Sequence, residues 1–219
     1  MKINDVNLQP ASAVVVVPYL QSSIKRIFDL VFASTVLLLT SPLWLVVVAL
    51  VALDGGPVLY AQRRVGKNGK IFRCWKFRTM EVNAEQTLKA LIASNPAVAA
   101  EWHSTQKLKN DPRVTAVGRW LRKTSVDELP QFINVLNGTM SVVGPRPFAH
   151  DQIALYGSTA LAKYLATKPG LTGVWQVHAR HDTTFACRAR YDEQYFQQAS
   201  LATDLALVVK TPLAMLRGT

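Results

Sequence analysis

The chain has 219 residues, 49% of them hydrophobic, which excludes a largely disordered protein and sets the expectation of one folded unit with an appendage. Lys and Arg outnumber Asp and Glu by 25 to 14 for a formal charge of +11, so an anionic partner is implied: phosphate groups, an acidic membrane surface or nucleic acid. Cys74 and Cys187 lie far apart and outside any CxxC spacing, which argues against a metal site or a disulfide framework and fits a reducing, cytoplasmic environment.

The first element is apolar. From Ile27 to Leu53 the run "IFDLVFASTVLLLTSPLWLVVVALVAL" carries a single charge, Asp29. As helix it would be roughly 40 Å long, against a hydrocarbon thickness of about 30 Å, so a membrane element is expected. It starts too far along the chain and runs too long for a signal peptide, and "DGGP" after it is no cleavage site. Ser41-Pro42 sits at its centre, where proline removes a backbone hydrogen bond and favours a kink. Lys25 and Arg26 precede the run, and Arg63, Arg64, Lys67 and Lys70 follow it. Basic flanks at both ends suit a hairpin that enters and leaves on the cytoplasmic side, although kinked helices also span membranes. Asp29 lies three and four residues after Arg26 and Lys25, so either can compensate it on one helical face.

Gly55-Gly56-Pro57 ends that element. "PVLYAQRRVGKNGKIFRCWKFRTM" then reads as two short strands around a "GKNG" turn, Gly66 to Gly69. "NAEQTLKALIASN" and "PAVAAEWHSTQKLKN" have helical spacing, broken at Asn95-Pro96 and closed at Asp111-Pro112. Further helices are expected in "VTAVGRWLRK" and in "LPQFINVLN", the latter stopping at Gly138. "KPGLTGVWQV" reads as a turn into a short extended piece, and "YDEQYFQQASLATDLALVVKTPLAMLRG" as a final helix that is either core or interfacial.

The stretch "RKTSVDELPQFINVLNGTMSVVGPRP" places Asp127 beside Glu128, with Arg122, Lys123 and Arg146 around them. Ser125 with Glu128 three residues on matches a capping box, so the pair could simply open a helix, where amides and dipole favour acidic side chains. Pro130 weakens that account, because a helix from Ser125 would forgo the bond from position 130 to the Val126 carbonyl. A carboxylate at a helix start is also held ionised, as a nucleophile must be. Pro145 and Pro147 stiffen the backbone around Arg146, and a planar guanidinium on a stiff mount suits bidentate phosphate recognition. Two carboxylates beside such arginines could hold a magnesium ion that completes its shell with phosphate and water.

"KRIFDL", the Ser41-Pro42 break, "QRRVGKNGKIFRCWKFRTM", "DPRVTAVGRWLRKTSVDELPQFINVLNGTMSVVGPRP" and "KPGLTGVWQV" together resemble the bacterial sugar transferases, the monotopic polyprenyl-phosphate hexose-1-phosphate transferases. The likeness runs from about Lys25 to the C-terminal end and is greatest to the short exopolysaccharide-initiating enzymes that transfer galactose-1-phosphate. It implies an α+β, mainly α fold: an N-terminal tail (1–23), a membrane-inserted re-entrant helix-break-helix (24–55) turning at Ser41-Pro42, and a small cytoplasmic catalytic domain (56–219). That domain would carry a β-hairpin, short helices and a C-terminal amphipathic helix.

The resemblance further implies that Asp127 attacks the sugar-bearing phosphate of a UDP-sugar, releasing UMP, and that undecaprenyl phosphate then takes the phosphosugar. Glu128, with Asp127, would be linked to Mg2+. Arg122 and Arg146 would contact phosphate, with Lys76, Arg78 and Asp192 as weaker assignments. The site would lie at the cytoplasmic face of the bacterial inner membrane, in contact with membrane lipid and not nucleic acid, with other polysaccharide-assembly glycosyltransferases as candidate partners. Glucose-1-phosphate or an N-acetylated sugar are alternative cargoes, since sugar choice rests on pocket shape. The rival from another class is a non-enzymatic, membrane-anchored basic module, which accounts for the charge and the apolar run but not for the carboxylate pair among arginines.

Overall fold

The computed structural model describes residues 15–105, 108–179 and 185–217. Most of the expected N-terminal tail, residues 1–14, lies outside them. The described chain is mainly helical with two small two-stranded sheets, an α+β composition. Two compact units interleave along it: the first holds residues up to Thr40, Ala61–Trp75 and those from Pro130 onward, the second Ser41–Tyr60 and Lys76–Leu129.

Helix α1 runs over Ser23–Ala52. Its start is fixed by Ser22, whose hydroxyl accepts from the Lys25 amide at 3.2 Å, and its end by Gly55, whose φ of 76° only glycine adopts readily. Pro42 lies inside and does not end it: the expected interruption at Ser41-Pro42 is absent from the helical run, because a proline forgoes one ladder bond without preventing the next turn from forming. The division between the two units nevertheless falls between Thr40 and Ser41. Only 11% of its most apolar 18-residue window, with a mean hydropathy of 2.4, is buried against protein. A soluble core helix would bury most of such a window.

In the first unit, α1 contributes its N-terminal half. Parallel strands β3 (Ser141–Val143) and β4 (Gly170–Thr172) pair Ser141 with Gly170 and Val143 with Thr172. At three residues each they are too short to show a period in the sequence. Between them runs α6 (Ser158–Leu165); α5 (Gln131–Leu136) leads into β3, and α7 (Val174–His178), α8 (Phe185–Gln198) and α9 (Leu201–Arg217) follow β4. The extended reading of "GVWQV" thus fails beyond Thr172, and the expected single C-terminal helix is two, separated at Ala199-Ser200. Val142, Val143, Met140, Val135 and Tyr195 are buried at the centre of this unit.

A charged network is buried beside them. The Lys25 ammonium donates to Asp204 at 2.7 Å, to the Val143 carbonyl at 3.1 Å and to Asp29 at 3.3 Å. Asp29 accepts from the Ser141 hydroxyl and the Val142 amide, both at 2.9 Å. Tyr19 and Tyr195 donate to Asp204 at 2.8 and 2.9 Å. Arg26, the other expected partner of Asp29, instead gives its two terminal nitrogens to the carbonyls of Val135 and Leu136, each at 2.7 Å, at the end of α5. There a cation favours the negative end of the helix.

The hairpin strands β1 (Leu59–Val65) and β2 (Ile71–Phe77) form the other sheet, joined through Lys67–Gly69 with Asn68 and Gly69 at positive φ, as the "GKNG" signal predicts. In the second unit, α2 (Ala84–Ser94), α3 (Pro96–Thr105) and α4 (Ala116–Thr124) follow the hairpin. Val47, Val51, Phe77 and Leu121 form its core, with the Trp44 ring edge-on to Phe77 at 4.9 Å. Gly118 allows α4 to sit against the preceding segment, since a Cβ there would lie 2.0 Å from the Thr79 carbonyl oxygen.

The Asp204 network should dominate the stability of the first unit. Asp204→Ala leaves the buried Lys25 ammonium with only Asp29 as a carboxylate partner, takes an acceptor from the Tyr19 and Tyr195 hydroxyls, and should cost about 3–5 kcal/mol, whereas breaking the exposed Lys89–Glu85 pair should cost under about 1 kcal/mol. Denaturant unfolding of the two variants checks the contrast.

Candidate functional site

The segment Lys76 to Met80 organises the second unit, because each successive side chain or carbonyl has a different partner. Lys76 donates to Glu128 Oε1 at 2.8 Å and sits 3.7 Å from Asp127 Oδ2. Phe77 enters the core. Arg78 donates Nε to the Pro57 carbonyl at 2.6 Å and Nη2 to the Val51 carbonyl at 2.9 Å and to Asp54, which ties down the C-terminal end of α1. Its buried Nη1 has no hydrogen-bond partner. The Thr79 hydroxyl accepts from Arg122 Nε at 2.9 Å and its carbonyl from the Thr115 amide at 3.1 Å, while Met80 bridges to Val114.

Asp127 and Glu128 do not open an α-helix. Helix α4 ends at Thr124, and Ser125 takes the left-handed conformation (φ 56°) of a C-terminal cap, with no side-chain capping bond. Val126–Glu128 then form one 3₁₀ turn before Pro130, and α5 begins only at Gln131. The capping-box expectation is corrected here: Pro130 has no amide to continue a helix from Ser125, so the chain turns tightly instead. The turn buries Asp127 to 8% exposure with its carboxylate toward Lys76. A carboxylate so buried needs a compensating cation, and the lysine supplies it.

Arg122 lies in the last turn of α4 and completes the cluster. Burial pulls its guanidinium below its ordinary value, while Asp127 and Asp111 act in the opposite direction. Nearby, Arg113 grips Asp111 with two bonds of 2.7 and 2.5 Å and stacks over Trp102, bracing the entry to α4. Lys76, Arg122, Asp127 and Glu128 therefore come together in the second unit. Arg78 belongs to the same unit, committed chiefly to backbone carbonyls, and Ser41 and Pro42 lie within α1.

Arg146 and Asp192 belong to the first unit. Arg146 follows β3 and, with Arg188, adds repulsion to the burial that holds Arg64 below its ordinary value. Neither Arg64 nor Arg188 stands out in the sequence, although the spacing of Arg188 and Asp192 on α8 is the four-residue signature of a helical ion pair. Arg188 lies 3.5 Å from Asp192 and over the rings of Trp175, Phe148 and Tyr156 at 5.3, 5.9 and 6.0 Å. Asp192 accepts from the Tyr156 hydroxyl. Burial pushes the Asp192 carboxyl up to about 6, with Arg188 and Tyr156 pulling the other way.

Among the described residues no group of three or more His, Cys, Asp and Glu side chains is arranged to hold a metal. Asp127 and Glu128 nonetheless converge on one cationic centre, the Lys76 ammonium. That donor pair fits Mg2+, which takes one or two protein carboxylates and fills its shell with substrate phosphate and water.

The chain belongs to the bacterial sugar transferase family, whose sequence model matches residues 20–218. It is 52% identical over 188 residues to the exopolysaccharide production protein ExoY of Rhizobium meliloti, covering 85% of this chain and 83% of that one. It is 47% identical over 194 residues to the undecaprenyl-phosphate galactose phosphotransferase of Salmonella typhimurium, covering 89% of this chain and 40% of that one. To the UDP-glucose:undecaprenyl-phosphate glucose-1-phosphate transferase of Escherichia coli it is 39% identical over 196 residues, covering 86% of this chain and 39% of that protein. The chain thus spans about two fifths of these two larger relatives.

Because Asp192 stays protonated to higher pH folded than unfolded, its contribution favours the folded chain fully below the ordinary carboxylate value of 3.8 and is lost as pH rises through about 6. Asp192→Asn should remove that component. Melting temperatures taken from pH 4 to 7 should fall with pH more steeply for the parent chain than for the variant.

Proposed function

We propose that the protein is a phosphoglycosyl transferase that moves a hexose-1-phosphate, galactose-1-phosphate in the first instance, from a UDP-sugar to undecaprenyl phosphate, the first membrane step of an exopolysaccharide repeat unit. The observation that carries the reading is the Asp127–Glu128 pair, with Asp127 buried, held on Lys76 beside Arg122, in a chain of this family. An Asp127 carboxylate oxygen attacks the phosphorus that bears the sugar. The bond from that phosphorus to the bridging oxygen breaks, and UMP leaves with the electron pair. An oxygen of undecaprenyl phosphate then attacks the same phosphorus, freeing the carboxylate and forming a sugar-diphospho-lipid.

An anionic nucleophile approaching an anionic diphosphate needs positive charge already in position, because charge stabilisation and alignment supply most of what phosphoryl transfer requires. Lys76 and Arg122 provide part of it. Mg2+, held by Glu128 with Asp127, would neutralise diphosphate charge when bound. Arg146 and Arg78, through its unpaired Nη1, are further candidates for phosphate contact, and Asp192 supports the arginine cluster of the first unit. Galactose takes precedence over glucose because the Salmonella relative, named for galactose, is 47% identical to this chain and the Escherichia coli relative, named for glucose, 39%.

The setting is the inner membrane. Helix α1 exposes its apolar surface, and α9 exposes Leu201, Leu205, Val209 and Leu213 at every fourth residue, the stripe of an interfacial helix. Basic residues in the first turn of α1 and in the hairpin after it support a re-entrant course with the site on the cytoplasmic face, near its lipid substrate.

Asp127→Asn should lower UMP release from UDP-galactose by more than about 1,000-fold and abolish lipid-linked product. Full turnover by that variant in membranes lacking other transferases would sink the nucleophile assignment. Glu128→Gln should be severely impaired and lose its magnesium response. Lys76→Met should reduce turnover by about 100-fold or more, and Lys76→Arg should restore part of it, read by the same UMP assay across a panel of UDP-sugars.

A further inference from the structure

At the N-terminal end of α1 the first unit opens into a cavity of about 530 Å³. Four cations line it, Lys25, Arg26, Lys67 and Lys168, and Asp29 is the sole carboxylate among the lining residues. The charge of Lys25 is spent on Asp29 and Asp204. Arg26 caps α5 through the Val135 and Leu136 carbonyls, which positions its charge without neutralising it. The side-chain ammonium groups of Lys67 and Lys168 have no hydrogen bond or ion pair among the described residues. Burial, then repulsion from Arg26, holds the Lys168 ammonium below its ordinary value, with Lys67 and Lys25 adding to it and Asp29 opposing. Among the described residues the cavity therefore concentrates more positive charge than Asp29 and Asp204 offset, a standing cost that a bound anion would relieve.

Its location narrows the anion. The lining comes in part from Gln21, Ser22, Lys25 and Arg26, at the start of the one helix among the described residues that is long and apolar enough to enter a membrane. In the same turns Ile24, Ile27 and Val31 are 58, 59 and 61% exposed, three apolar side chains at helical spacing with no protein covering most of their surface. Cations and neutral donors beside an uncovered apolar face match an amphiphile with an anionic head.

We propose that this cavity binds the phosphate headgroup of an anionic membrane lipid, with Lys67 and Lys168 as its charged contacts, Gln21 as a neutral donor, and the acyl chains along Ile24, Ile27 and Val31. The proposal rests on the membrane placement given above but not on the transfer reaction. It makes the lipid a ligand of the first unit, which would fix the depth of α1 at the headgroup layer.

The test is native mass spectrometry of the delipidated full chain in neutral detergent, titrated in parallel with phosphatidylglycerol and phosphatidylcholine. Phosphatidylglycerol should be retained preferentially, and Lys67→Gln/Lys168→Gln should weaken its binding by roughly 10- to 30-fold. A single Lys67→Gln variant, altered only on the hairpin turn, should lose part of the affinity and guards against misfolding of the double variant. Asp127→Asn should bind the lipid as the parent does, so a failed transfer assay and a failed lipid site are separate results. Equal retention of the two lipids, or undiminished binding by the lysine variants, overturns the proposal. Displacement of phosphatidylglycerol by millimolar inorganic phosphate or UDP overturns it as well, reassigning the cavity to a soluble phosphate ligand.

Discussion

The first unit is built around one buried ammonium. Lys25 enters an otherwise apolar helix and is met by two carboxylates, Asp29 from its own helix and Asp204 from α9, and by the Val143 carbonyl of β3. Hydrophobic contact alone would let α1 slide or rotate against its neighbours, because Leu, Val and Ala side chains discriminate weakly among orientations. A charge that must meet three oxygens cannot slide. Asp29 extends the constraint to the Ser141 hydroxyl and the Val142 amide, so the β3 strand is indexed to the helix by directed bonds. Tyr19 then shares Asp204 Oδ2 with the lysine, and Tyr195 closes Oδ1. The network sets the register between elements nearly 180 residues apart, and the surrounding apolar core supplies the cohesion.

The second unit solves a different problem, holding two adjacent carboxylates in place without a long helix to carry them. A 3₁₀ turn of three residues has few bonds of its own: the Glu128 amide reaches the Ser125 carbonyl and the Leu129 amide reaches Val126. Precision comes from either side. Helix α4, capped at its start by the Thr115 hydroxyl, which accepts from the Gly118 amide, and pressed against Thr79, fixes the incoming chain, and Pro130 fixes the outgoing one. Lys76 then takes both carboxylates. Arg122 is held by Thr79, three residues along from that lysine, so the cations and the anions of the site are mounted on the same two segments.

Much of this was legible in the sequence, and what was not has identifiable causes. The apolar helix, the hairpin with its "GKNG" turn, and the helices around Leu91, Trp120 and Phe132 each carry a period or a stop signal strong enough to read directly. The acidic pair and its neighbouring arginine stood out by charge in an uncharged stretch. The capping-box reading of Ser125 failed because the motif records a spacing of residue types, and that spacing is equally compatible with a cap at the other end of the preceding helix. Strands β3 and β4 escaped because three residues cannot display alternation, and their pairing depends on glycines whose closeness appears only in three dimensions: a Cβ on Gly170 would lie 2.1 Å from the Gly144 nitrogen. Asp204 looked like one polar residue in a late apolar helix. Its partner stands at the opposite end of the chain, and no local pattern encodes that.

The segment from Lys76 to Met80 has a consequence for how this sequence can change. Five consecutive positions are each committed to a different neighbour: the carboxylate pair, the core, the end of the apolar helix, Arg122 and the Val114 bridge. Individual side chains there can be exchanged one at a time, with graded losses. A single-residue deletion or insertion would be of another kind: a deletion would bring phenylalanine to the place of the lysine and an arginine into the core in one event, and an insertion would put the lysine in the core. Length within this segment is therefore a stricter constraint than composition, and variation in chain length should accumulate outside it.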